Sequence, residues 1–371
     1  MKINLKSPYF VTVDDAGLTS CTLELFAYSG IKNTSRPAAI YTLESEAENG
    51  KVIFEIASLA VEYIDYVFDL NYDSQTIWVD YRLTKSINGT PQTPDEYVNL
   101  EGFYGYGYFE DGVNPQTSID LLQDNTKMLV LADTDYYIPV KTENLTQIDY
   151  YFVNGTTSTE FYNIDQNNSA NLIKYITVGG SEQILYDFQD QDDYLFQDGN
   201  EYAFKKGQAI QSSGLKKLEL YYTHGNRILT LENINECKYF PYEVIFVNKY
   251  GALQNIWFFK NSKKTINLTQ DDFDKNILVD GSYSINEASR QILSKQGREG
   301  IKLNSGYYPE QYNEVFQQLL LSDYVWLKNN GDILPLDVDT SSFSYQNRLY
   351  EKLINYEIDF KFSFDKINKI R

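Results

Sequence analysis

Two cysteines and one histidine are all that 371 residues contain of the side chains most used for thiol and imidazole chemistry. Cys21 and Cys237, far apart in the chain, cannot build the disulfide framework of a small secreted scaffold and are expected reduced and buried. His224, in YYTHGNR, has no second histidine with which to hold a metal and no serine elbow or cysteine arranged to partner it. It reads as a solvent-facing turn residue. A G-x-S-x-G elbow is missing, and GYGYF and VGGSEQ neither precede a helix nor carry the lysine of a phosphate loop. No run approaches the length of a membrane span, and MKINLKSPYFVTVDD lacks an apolar stretch followed by a small-residue cleavage site. The expectation is a chain made in the cytoplasm with no membrane insertion. Positive charge is also scarce: 32 basic against 52 acidic residues give −20, which repels nucleic acid and anionic surfaces. The expected cofactor set is empty. The chain reads as a non-enzyme because no catalytic motif is present; glycosidase chemistry needs only two acids across a cleft, which 52 acidic residues always offer, so a polysaccharide-degrading enzyme stays as a third possibility.

What the chain has in abundance is flat rings, with 33 Tyr and 21 Phe, which favour pleated, half-buried surfaces. The fold class expected is mainly β: tandem β-sandwich domains of immunoglobulin-like kind with a short helix-containing C-terminal portion. Length calls for two or three domains. Residues 1–118 read as an N-terminal sandwich, from the alternating runs SPYFVTV, TLELFAY, AAIYTLE, KVIFEIA and TIWVDYRL, with SLAVEYIDY (58–66) as a turn or two of helix. Residues 119–267 read as a second β-rich domain, and 268–371 as an α+β portion. In PEQYNEVFQQLLLS (309–322), Tyr312, Val315, Phe316, Leu319 and Leu320 share one helical face, with Pro309 in the first turn. In the last run, Tyr356, Ile358, Phe360 and Phe362 alternate as a strand expected to lie at an edge, free to pair with another subunit.

The strongest signal is YEVIFVNKYGALQNIWFFK (242–260), two arms apolar on both faces around an Asn-Lys-Tyr-Gly break. Such a hairpin must be covered on both sides, by its own chain or by another copy. Trp257, Phe258, Phe259, Tyr324 and Trp326 are the aromatics expected to anchor packing or an interface. GFYGYGYF (102–109) alternates glycine with aromatics, read as a twisted edge strand or, alternatively, as a platform on which Tyr104, Tyr106 and Tyr108 stack on sugars. The loop DFQDQDDYLFQDGN, with five aspartates between 187 and 199, offers hard oxygens but not the spacing of an EF-hand, and reads as an acidic surface loop without a metal.

Taken in order, SPYFVTV, CKYFPYEVIFVNKYGALQNIWFFK, LLLSDYVWLKNNGDILPLDV and NYEIDFKFSF resemble the β-rich structural proteins of tailed bacteriophages. That resemblance implies a virion component of the tail, neck or fibre apparatus. Its implied partners are copies of itself and neighbouring virion proteins, and it carries over no catalytic residues. The alternative is a carbohydrate- or receptor-binding module of a fibre, whose partner is a host-surface glycan.

Overall fold

The computed structural model of the chain describes residues 1–64, 66, 68–73, 75–115, 120–131, 134–141, 145–153, 155–161, 172–179, 215–234, 238–329, 331–342, 344–345 and 353–367. It is mainly β, with two short α-helices, Ala57–Ala60 and Tyr312–Leu320, among the described residues. The acidic run 187–199 and Cys237 lie outside them, while Cys21 is a free, buried thiol. Residues gather into two compact units that are not continuous in sequence. One takes Met1–Asn235, Phe246–Asn255 and Glu314–Ser322; the other takes Glu236–Ile245, Ile256–Asn313 and Asp323–Arg371.

In the first unit, Leu18–Tyr28 pairs antiparallel with Tyr41–Glu46 on one side and Thr76–Ile87 on the other, and Val98–Phe103 and Lys2–Asn4 extend the sheet. The strand forms because Cys21, Leu23 and Leu25 fall at every second position and are buried, with Thr22 and Glu24 between them. A five-stranded sheet follows in the order Thr157–Phe161, Leu145–Phe152, Leu215–Tyr222, Gly225–Ile234, Lys127–Leu131. Its Ile148, Leu218 and Leu220 share one core with Ile138, Val140 and Ile176 of the two-stranded pair Asp135–Lys141 and Ile173–Gly179. Full burial of such a side chain contributes about 1.5–3 kcal/mol, which is what commits these alternating runs to strands.

A seven-stranded sheet runs Leu253–Phe258, Tyr242–Val247, Val325–Asn329, Asp332–Val338, Glu357–Phe362, Arg290–Asn304, Ser262–Asp274. The hairpin of the sequence reading supplies its first two strands, and every residue of the Leu253–Phe258 arm is buried.

Three local expectations are corrected. The last strand is not an edge: Glu357–Phe362 pairs with Arg290–Asn304 on one side and Asp332–Val338 on the other. Its alternation is as read, with Tyr356, Ile358, Phe360 and Phe362 buried, but alternation reports which face is covered and not which neighbours lie alongside. Pro309 is not in the helix. It closes a two-residue strand, Tyr308–Pro309, bridged to Leu353–Ile354, and the helix begins at Tyr312. Finally, GFYGYGYF is strand only as far as Phe103, and that strand lies between Lys2–Asn4 and Thr76–Ile87 rather than at an edge.

Candidate interaction surface

The two end strands of the seven-stranded sheet are treated in opposite ways. Along Leu253–Phe258 tyrosine hydroxyls meet the outward backbone groups. The Leu253 N–H donates to Tyr175 Oη at 2.9 Å, the Trp257 N–H donates to Tyr308 Oη at 3.1 Å, and that same hydroxyl donates to the Trp257 carbonyl at 2.7 Å. Each phenol replaces what a further strand would supply to a buried backbone. Burial pushes the Tyr175 phenol up, so it stays a neutral hydroxyl.

Among the described residues, Ser262–Asp274 has no such cover. It pairs with Arg290–Asn304 over its full length, from Ser262 opposite Leu303 to Asp274 opposite Arg290, an arm about 40 Å long at the usual strand rise. Only Gly300–Asn304 of the second strand pairs with a third strand. From 263 to 293 every residue is exposed but Ile277. The arm nevertheless carries Ile266, Leu268, Leu278 and Ile292 outward, with Ile285 89% and Leu293 72% exposed near its end. Ile266 and Leu268 lie over Gly297 on the opposite strand, where a Cβ would sit 3.0 Å from Ile266. Isolated two-stranded ribbons are marginal in water, and a long edge with apolar side chains is a template for another strand.

The hairpin turn is by contrast locked inside the first unit. Asn248, 1% exposed, accepts from the Tyr250 and Ala252 N–H groups at 3.0 and 3.1 Å and donates to the Leu122 carbonyl at 2.7 Å and to Gln254 at 3.0 Å. Lys249 Nζ lies 3.1 Å from Glu314 and 3.4 Å from Asp124, and Tyr250 donates to Asp124 at 2.6 Å. Gln318, fully buried on the helix, donates to both carboxylates and accepts from the Lys249 N–H at 3.3 Å. Burial pushes the Glu314 carboxyl up, but bonds from Tyr108, Lys249 and Gln318 outweigh it and leave it below the usual glutamate range.

Tyr104, Tyr106 and Tyr108 line this turn. The Tyr106 N–H donates to the Lys249 carbonyl at 2.9 Å, and Tyr108 donates to Glu314 at 2.7 Å. Lys6 sits 5.5 and 5.4 Å from the ring centres of Tyr104 and Tyr106, Lys249 sits 5.3 Å from that of Tyr108, and Tyr66 meets Tyr104 edge-on. All three tyrosines are half-buried, with ammonium groups over ring faces that a sugar would need.

Trp257, Phe258, Phe259 and Trp326 are buried within the chain, and Tyr324 is half-buried and stacked on Trp326 with ring centres 5.9 Å apart. Phe258 meets Phe360 edge-on, and Phe259 packs against Tyr308. His224 lies at a turn with Nε2 2.6 Å from Asp120. Among the described residues no group of three His, Cys, Asp or Glu is placed to hold a metal ion, and no helix is long and apolar enough to cross a membrane.

The chain matches no family model and no curated protein.

The arm is the feature that sequence reasoning passed over. Ser262–Asp274 reads SKKTINLTQDDFD, too polar to stand out as a strand, and the expected limit at 267 falls in its middle. A signal was present in its partner and turn: Val279-Asp280-Gly281-Ser282, with Asp280 at φ +50° and Gly281 at φ +78°, is an Asp-Gly hairpin turn.

Proposed function

We propose that the chain is a non-enzymatic structural component of a tailed-phage virion, built of tandem immunoglobulin-like sandwich modules and held to copies of itself and to neighbouring virion proteins through its long β-arm. The observation that carries this reading is the arm. A soluble monomer gains nothing from an arm whose 13 paired residues stand largely outside a core and which exposes Ile266 and Leu268 along its length and Ile285 and Leu293 near its end. A subunit that must add its strand to a neighbour's sheet gains main-chain hydrogen bonds and apolar burial together. The resemblance of four stretches of the sequence to phage structural proteins supports the same reading. So does the depth at which Trp257, Phe258 and Phe259 lie in their own chain, since it leaves contact between subunits to other surfaces.

The test is peptide mass spectrometry and antibody labelling of density-purified particles of the virus that encodes the chain. In parallel, residues 267–298 are replaced by a two-residue Asn-Gly turn, which closes on the Ile266–Glu299 pair. The expected result is stoichiometric recovery of the intact protein in particles, and a folded arm-deleted protein that is left out of them. Particles free of the protein, or normal incorporation without the arm, overturn the reading.

A further inference from the structure

We infer that the edge strand Ser262–Asp274 pairs antiparallel with the same strand of a second copy, centred on Asn267. The inference rests on the virion reading above and names the partner of the same surface.

Charge along the strand is the deciding observation. Lys263 and Lys264 stand at one end, Asp271, Asp272 and Asp274 at the other, and the middle is uncharged. Lysine on an edge ordinarily repels other edges. Here both signs are present and separated end to end, so a parallel pairing sets lysine on lysine and aspartate on aspartate, whereas an antiparallel one sets each lysine end against an aspartate end. Like charges directly opposite destabilise a sheet and opposite charges favour it. Lys263, Lys264 and Asp271 form no ion pair within the described chain, so none must be broken to make the contact.

Pairing about Asn267 keeps residues of one parity on one face. Ile266 then lies opposite Leu268 of the second copy, and the reverse, on the face that continues from Ile301 and Leu303 of the buried sheet. On the other face Lys263 lies opposite Asp271, and Thr265 opposite Thr269. A two-fold axis through Asn267, perpendicular to the sheet, relates the copies, an isologous contact that closes on itself. The opposite edge offers no equivalent site, because Tyr175 and Tyr308 already occupy its backbone groups.

Sedimentation and light scattering across a concentration series test the pairing on the full chain. Wild type is expected to dimerise, and more weakly as salt rises. K263E/K264E makes both ends acidic and D271K/D272K makes both ends basic. Each is expected to lose about tenfold or more in self-affinity, and an equimolar mixture of the two to recover it. Under mild oxidation N267C is expected to cross-link to itself above the wild-type baseline, and T269C, which would face Thr265, is not. All these positions are exposed, and circular dichroism checks that the variants are folded. A wild-type monomer at every concentration, variants that associate like wild type, or T269C cross-linking as readily as N267C each overturns the inference. A monomer that is still recovered from particles overturns the pairing and leaves the virion reading standing; a dimer absent from particles does the reverse.

Discussion

Replacing Gly251 by alanine tests the approach between the hairpin turn and the glycine-aromatic segment. Gly251 has φ +75°, and an added Cβ would lie 2.7 Å from the Tyr104 nitrogen and 2.8 Å from its carbonyl carbon. Both are backbone atoms with no rotamer by which to withdraw. The left-handed conformation costs an alanine about 1–2 kcal/mol, and overpacking against a fixed neighbour costs about 1–3 kcal/mol more. The sum, about 3 kcal/mol, lowers the melting temperature of a unit this size by about 6–12 °C. Two controls separate the parts. Gly89, at φ +77° with nothing within 4 Å of its Cβ position, isolates the conformational cost. Gly105, whose Cβ would meet the Lys249 carbonyl oxygen at 2.6 Å and whose φ is not left-handed, isolates the overlap. Melting followed by far-ultraviolet circular dichroism is expected to rank G251A below G105A and G89A. If G251A melts no lower than G89A, the close approach does not constrain the turn and the reasoning fails.

Asn248→Ala removes four hydrogen bonds at a site 1% exposed and strands the Leu122 carbonyl, so a loss of about 3 kcal/mol is expected in denaturant titrations. Tyr308→Phe leaves the Trp257 N–H and carbonyl without their hydroxyl, costing about 1–3 kcal/mol, and amide exchange at Trp257 should accelerate while that of strands in the other unit does not change. The Glu314 carboxyl is held below its usual range, so its contribution is fully present above the unfolded value of about 4.3 and is lost as pH falls through the lower folded value. Stability measured from pH 6 down to about 3 should therefore fall, and E314Q should fall less over the same window.

The β character and the central hairpin were legible because their signals are local. Val244 to Val247 and Ile256 to Phe258 are apolar without a break, and a chain hides such runs by burying them, here completely. The helical face of Tyr312, Val315, Phe316 and Leu319 was equally readable, whereas Leu320 is half-buried and Gln318 takes the fully buried place, because its amide bridges Asp124, Glu314 and the Lys249 N–H. Long-range partners were not legible. Nothing in the alternation of Tyr356 to Phe362 says that strands lie on both sides of it, and nothing near Tyr308 says that its hydroxyl finishes the edge of a strand 51 residues away. The candidate surface escaped for the opposite reason. A strand that contributes little to a core carries no alternating imprint of one, so SKKTINLTQDDFD is written for partners that a single chain does not contain.

The interleaving of the two units bears on synthesis. The chain crosses between them five times, and the first unit's last piece, Glu314–Ser322, is translated long after Asn235. At about 5–20 residues per second, roughly 4–17 s separate those two points. For most of that interval the nascent first unit has Asn248 but lacks Gln318, the buried amide that joins Asp124, Glu314 and the Lys249 N–H and that arrives only with the helix. A chain that stops anywhere before residue 322 therefore leaves both units short of a piece.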